Sequence, residues 1–303
     1  MGDFVFLCVV NAYSVGRTKR QGLRMRQNKY RRYLLLIGIA AICNSILIGQ
    51  IRERSALNEL DMAVVKEETF RNHVLNEEMI MYMQKSDVPA KAAGIFLAEE
   101  ISASCGLHKP YTTKKIQKAE HKWRQNPMFD EYMDVCDSIW RDLKYFPVPK
   151  SGTDDSLTVS YGDSWMGERT FGGRRGHEGT DLMANENIPG LYPIISMTDG
   201  VVVNKGWLPK GGWRIGILSP SGGYYYYAHL SDYADIEEGD EIKAGELLGY
   251  MGDSGYGEEG TTGMFPVHLH VGIYIYPDGK EISINPYWIM RYLEKFKLEA
   301  AYS

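Results

Sequence analysis

The feature that most limits how this chain can fold is residues 33–51, nineteen positions without Asp, Glu, Lys or Arg. A run this long and apolar matches the hydrocarbon thickness of a bilayer, where a lone segment satisfies its backbone only as a helix. Residues 1–32 hold eight Lys or Arg against the single acid Asp3, a charge of +7, so the remainder carries −12 within the chain's −5. By the positive-inside rule this predicts a basic cytoplasmic tail (1–32), a single-pass membrane helix (33–51) and an extracytoplasmic remainder. A cleaved signal would have a shorter apolar core ending in an Ala-x-Ala-like site, which does not follow Ile51. Ile42 before Cys43 argues against a lipoprotein site. Residues 4–10 are apolar but too short to span, and Met25 offers an alternative start. The acidic remainder argues against a nucleic-acid binder.

Residues 52–148 have helical character. The stretch from Leu57 to Phe70 and the run through Met79, Met81 and Met83 show helical apolar spacing. Residues 90–104 form a further helix candidate behind Pro89, followed by 112–125 and 129–143. The methionines are expected in a helix core. His73, His108 and His121 lack ligand spacing and are expected at the surface. Cys105 and Cys136 are the pair an oxidising exterior would allow to bridge, although the four cysteines (Cys8 and Cys43 are the others) do not describe a disulfide scaffold.

Pro147, Pro149 and Ser151-Gly152 mark a linker, placed at 149–160. Beyond it Gly, Tyr, Val and Ile become common, and short strand-like runs recur between glycine-rich turns. This predicts a mainly antiparallel β domain over 161–290 and a tail over 291–303.

Four of the seven histidines gather in this domain. Val267-His-Leu-His-Val reads as a strand, so His268 and His270 project from one face. An isolated His-x-His is most often a pair of satisfied histidines. Upstream, however, Gly176-His177-Glu-Gly-Thr-Asp181 sets His177 and Asp181 four apart, a spacing that shares a face in helix or strand alike. Between them, Tyr224-Tyr-Tyr-Tyr-Ala-His229 is another strand-like run ending in histidine. Neutral imidazole and carboxylate are zinc ligands, and histidines near neutral pKa serve as acid or base. Glu178, a neighbour of His177, is expected to face solvent. Arg174 and Arg175 either line a cleft rim or solvate a turn, with the turn preferred.

His-x-x-x-Asp, Tyr-x-His-Leu-Ser and His-Leu-His, in that order over residues 160–280, resemble the lysostaphin-type, LytM-like zinc metallopeptidases. The resemblance implies a duplicated-hybrid-motif β domain that hydrolyses peptide bonds in peptidoglycan stem peptides or cross-bridges. It implies Zn²⁺ on His177, Asp181 and His270, with His229 and His268 catalytic. The loop from Gly252 to Pro266 departs from the family pattern in its length, with Met264-Phe265-Pro266 inserted. The segments 193–203 and 239–252 also resemble the lipoyl carrier fold, but no lysine stands exposed between methionines in a tight hairpin. Two functions follow as expectations. One is a membrane-anchored zinc endopeptidase acting in the bacterial cell envelope; the other is a non-catalytic LytM-like interaction module in an envelope or sporulation complex. The helical region is expected to offer a surface for a protein partner.

Overall fold

The computed structural model describes the backbone of residues 3–58, 60–102 and 107–303, and side chains from residue 26 onward, residue 56 aside. The chain divides into two compact units, Met1–Ser55 and Ala56–Ser303. Helix α1 (Asp3–Asn58) runs without a break through the expected tail and span. Its stretch Arg26–Ser55 is long and apolar enough to cross a membrane. At 1.5 Å per residue, the uncharged run 33–51 alone is about 29 Å long.

The second unit opens with helices. Residues expected to form one helix from Leu57 instead make a 3₁₀ turn at Met62–Lys66 and the short α2 (Glu68–Arg71). Next come α3 (Glu77–Met83), α4 (Pro89–Ser102), α5 (Thr113–Trp123) and α6 (Phe129–Trp140). The Asn76 side chain accepts from the backbone N–H of Glu78 and Met79, and that of Thr112 from Lys115, fixing where α3 and α5 start. Such caps contribute about 1 kcal/mol each. Met79 and Met83 are buried as expected of a helix core, whereas Met81 is exposed.

His73 departs from expectation: it is wholly buried. Its Nδ1 lies 2.9 Å from the Phe70 carbonyl, and the Trp140 indole N–H donates to its Nε2 at 3.0 Å. Burial pushes its imidazole down to about 4, although the Phe70 carbonyl pulls the other way. His108 and His121 are exposed. Cys105 lies outside the described residues; Cys136 is a buried thiol pushed up to about 12 by burial.

Short strands follow: β1 (Lys150–Ser151), β2 (Val159–Ser160), β3 (Glu168–Arg169), β4 (Arg175–Gly176), β5 (Thr180–Ala184) and β6 (Pro193–Ile195). Then come β7 (Gly200–Leu208), β8 (Gly212–Leu218), β9 (Tyr224–Tyr233), β10 (Glu241–Ile242), β11 (Leu247–Met251), β12 (His268–Ile275) and β13 (Ile282–Ile284). Helix α7 (Tyr287–Leu293) and β14 (Glu299–Ala300) close the chain. The main sheet runs β10-β7-β8-β9-β12-β5-β2, each neighbouring pair antiparallel, as the residue pattern predicts.

The tyrosine run shows how the sheet faces divide. On β9, Tyr225 and Tyr227 enter the core; Tyr225 donates to the Ile139 carbonyl of α6 at 2.7 Å, and the Tyr227 hydroxyl accepts from Met197 N–H at 2.9 Å. Tyr224 and Tyr226, one residue out of phase, line the opposite face. Helix α6 therefore packs against the back of the sheet. The expected linker is itself paired: β1 lies parallel to β14, and Ser151 Oγ donates to the Tyr302 carbonyl at 2.6 Å. The expected tail 291–303 supplies the end of α7 and that partner strand.

Candidate metal centre

Three adjacent strands, β9, β12 and β5, carry the histidine motifs. Antiparallel register sets His270 directly opposite Asp181 on β5 and opposite Ala228, next to His229, on β9. His177 stands in the turn just before β5, its N–H bonded to the Gly167 carbonyl at 2.9 Å. Gly179 lets the ring of His270 close on this turn, because a Cβ there would lie 2.3 Å from His270 Cε1.

Three atoms converge. His177 Nε2 is 3.0 Å from Asp181 Oδ1 and 3.0 Å from His270 Nδ1, and His270 Nδ1 is 2.9 Å from Asp181 Oδ1. The second nitrogen of His177 is turned away: Nδ1 lies 3.3 Å from the Ser164 carbonyl and 3.0 Å from its hydroxyl. The carbonyl only accepts, so a ring with its proton on Nδ1 bonds it and turns Nε2 toward the cluster. Arg169 occupies the outer Asp181 oxygen, Oδ2, at 2.5 Å, which leaves Oδ1 for the cluster. Burial would raise the Asp181 carboxyl, but the imidazoles of His177 and His270 outweigh it and hold it well below the usual carboxylate range. A carboxylate oxygen and two ring nitrogens at this spacing form a donor set that can hold a cation. Two nitrogens and one oxygen at this spacing fit a catalytic zinc, which takes three protein ligands and keeps a position open.

The other two histidines border the cluster. The Nδ1 of His229 lies 2.7 Å from the Ser254 carbonyl, and that of His268 lies 2.7 Å from the Pro266 carbonyl. Both neutral rings therefore have Nε2 available, and that of His268 is 3.9 Å from Asp181 Oδ1. Their ring centroids are 4.7 Å apart. Burial lowers both pKa values, most strongly for His229, which also feels the rings of His268 and His270. His229 holds a left-handed backbone at φ 63°, a strain of order 1 kcal/mol for a non-glycine residue. The long loop before β12 covers these rings: Phe265 packs 4.6 Å from His229 and 5.0 Å from His268. Tyr256 stacks on Phe171 at 4.3 Å.

All five residues singled out from sequence thus line one cleft of about 760 Å³. Its wall includes Arg175, Arg214 and the hydroxyl-bearing rings of Tyr224, Tyr226 and Tyr274. Glu178 is half exposed but not simply solvated: its carboxylate accepts from Arg71 of α2 at 3.0 Å and from the Ser283 hydroxyl at 2.8 Å. Arg174 is largely exposed and pairs with Glu168, the expected turn role, whereas Arg175 lines the cleft, against the preferred reading. Arg169 and Ser164 escaped sequence reasoning, because neither stands at a recognisable spacing from the ligands.

The sequence pattern of Peptidase family M23 matches residues 175–286, and that of the LytM N-terminal domain matches residues 55–142. The crystal structure of LytM from Ruminococcus gnavus ATCC 29149, a candidate glycyl-glycine endopeptidase, is 50% identical with a TM-score of 0.75; the match covers 82% of this chain and 99% of that one. This chain belongs to peptidase family M23. Within the family it is a LytM-like member whose helical region, α2 to α6, corresponds to the LytM N-terminal domain. The L-Ala–D-Glu endopeptidase of Bacillus subtilis (strain 168) is 43% identical over 155 residues, 51% of this chain and 45% of that protein. The glycyl-glycine endopeptidase ALE-1 of Staphylococcus capitis is 34% identical over 82 residues, 26% of this chain and 21% of that protein. The M23 chain therefore spans less than half of either of these relatives.

Proposed function

We propose that this M23 chain is a membrane-anchored zinc endopeptidase that hydrolyses peptide bonds in peptidoglycan. The observation that carries this reading is the convergence of His177 Nε2, His270 Nδ1 and Asp181 Oδ1 within 3.0 Å, beside two further histidines whose Nε2 atoms remain available. His177, Asp181 and His270 would hold the metal. Bound there, zinc would supply a Lewis acid for the scissile carbonyl and the attacking water. His229 and His268 divide the proton transfers, one removing a proton from the water and the other protonating the leaving amine. Their Nδ1 atoms are anchored on backbone carbonyls, so each ring is held in one tautomer without a carboxylate partner. Phe265 and Tyr256 wall off bulk water beside them, which strengthens each polar interaction within.

The apolar helix and the basic residues before it support a single-pass anchor, with residues 1–32 in the cytoplasm and the peptidase domain outside. Two relatives, one named for the L-Ala–D-Glu bond and one for glycyl-glycine bonds, support stem peptides or cross-bridges as the substrate class. The test is digestion of purified peptidoglycan by the full chain, before and after chelation and with zinc restored. New amine termini should appear, vanish on chelation and return with zinc; no release from any wall type would sink the proposal. Protease added to intact cells should remove the peptidase domain, and a wholly protected chain would refute the topology.

A further inference from the structure

His177 stands in a turn before β5, and a second turn wraps around it. Met166 N–H donates to the His177 carbonyl at 2.8 Å, and the Gly167 carbonyl accepts the His177 N–H at 2.9 Å. Ser164 meets the ring at Nδ1 with its hydroxyl and its carbonyl. Residues 163–167 lie between β2 and β3 and belong to neither. The sheet ladder therefore does not fix the segment that fixes His177.

Its anchors come from the helical region. The Asp163 carboxylate accepts from the side-chain amide of Asn285, just past β13, at 3.1 Å. The same amide donates to Asn72 Oδ1, just past α2, at 3.0 Å. Asn285 is wholly buried, and its backbone N–H donates to the Arg71 carbonyl at 2.8 Å. The Arg71 guanidinium lies over the Trp165 ring, 5.7 Å from its centroid, a cation–π contact within the same turn. Arg71 also grips the residue after the ligand. Its Nη2 donates to Glu178 at 3.0 Å and to the Ser283 hydroxyl at 2.7 Å, and its Nε donates to the Ser283 carbonyl at 3.1 Å. The planar fork suits several bonds held at once. As a part-exposed ion pair, Arg71–Glu178 contributes little to stability. Its geometry has another use, because one side chain of α2 restrains the chain on both sides of His177.

We infer that Arg71 and Asn285 are positioning residues through which docked α2 presets His177, so that the candidate metal centre reaches full affinity only with the helical region in place. This rests on the metal-site reading and deepens it. The ligands all come from the β domain, yet the orientation of one of them is set from α2. Lifting α2 would loosen the metal without touching the cleft.

The test uses the full chain and reads zinc affinity by chelator competition, with peptidoglycan hydrolysis at saturating zinc as the second readout. Arg71→Gln removes the grip on Glu178 and Trp165. Asn285→Asp keeps the acceptor for the Tyr287 N–H, 3.0 Å away, but sets a carboxylate against Asp163. Each should weaken zinc binding about tenfold to a hundredfold, as for other supports of a metal-ligating histidine. Excess zinc should return hydrolysis close to the wild-type rate. Arg71→Lys keeps a positive charge facing Glu178 and should recover part of the affinity. Gln84→Ala breaks a different bond of the helical region, that to the Tyr292 carbonyl of α7 at 3.0 Å, and should leave zinc affinity unchanged. Wild-type affinity in both Arg71→Gln and Asn285→Asp overturns the positioning role. So does an equal loss in Gln84→Ala, which would make the effect a general loosening of the helical region. A wild type that binds zinc but releases no amine termini sinks the peptidase reading alone, and the affinity ratios still decide the role of α2.

Discussion

Two places in this molecule bury histidine, and they do so in opposite ways. In the helical region His73 has both ring nitrogens spent, one on the Phe70 carbonyl and one on the Trp140 indole. In the sheet, His177, His229 and His268 each spend Nδ1 on a carbonyl and leave Nε2 facing the cleft. All four rings are buried. Burial alone therefore does not separate the two settings; what differs is whether the second ring nitrogen is tied to a packing partner. His73 is a packed hydrogen-bonding unit between α2 and α6, and the others keep a second ring nitrogen turned toward the cleft.

The largest effect should come from the cluster itself. His177→Ala, Asp181→Ala or His270→Ala deletes a ligand, so zinc content and peptidoglycan hydrolysis of the full chain should fall to background together. His229→Ala or His268→Ala leaves the three ligands in place, so zinc should stay while hydrolysis drops by roughly 10²–10⁴, the usual contribution of a positioned acid or base. Zinc stoichiometry and cleavage measured on the five variants draw the line between the groups. Loss of zinc from His268→Ala with retention by His270→Ala would reverse the two roles on their shared strand.

A smaller effect should follow from removing the guanidinium behind Asp181. Arg169→Gln frees Oδ2, so the carboxylate loses its fixed orientation toward the cluster. Zinc affinity should weaken about tenfold to a hundredfold, as for other supporting partners of metal ligands. Chelator competition would measure it, and excess zinc should restore hydrolysis. Unchanged affinity would mean that the strand alone orients Asp181.

The contrast between the two kinds of histidine also explains what could be read from sequence. Short-range periodicity accounts for His268 and His270 on one face of β12, whereas Asp181 reaches them through strand register and His177 through the turn before β5. The helices α4, α5 and α6 were legible through apolar spacing and Pro89. Long-range partners were not. Nothing near Arg71-Asn72-His73 announces that Trp140, 67 residues on, will cap the ring. Pro147 to Gly152 reads as a linker because Pro and Gly punctuate locally, yet its strand partner begins at Glu299. Arg169 reaches Asp181 only through a hairpin whose two strands are two residues each, too short to carry a period. Arg175 alternates in that same hairpin, so its cleft-facing side was equally hidden.

The smallest effect concerns His73 and carries a definite sign. Its imidazole is held at about 4 in the folded chain against an ordinary 6.5, with burial the main cause. Above pH 6.5 it is neutral in both states and contributes no pH dependence. Between 6.5 and about 4 the unfolded chain takes up a proton that the folded chain refuses, so stability falls as pH falls. The full window is worth about 3 kcal/mol, and the step from pH 7 to pH 5 about 2 kcal/mol, at 1.4 kcal/mol per unit. Asn suits the left-handed backbone at this position, φ 54°, and does not titrate. His73→Asn should therefore be less stable than wild type at pH 7, having lost a ring that satisfied both Phe70 and Trp140, yet lose about 2 kcal/mol less on acidification to pH 5. Urea unfolding of both proteins at the two pH values isolates the difference, because every other titrating group is shared. Parallel losses would mean that the caged ring takes up a proton without unfolding, and the distinction between spent and available histidines would fail at its simplest example.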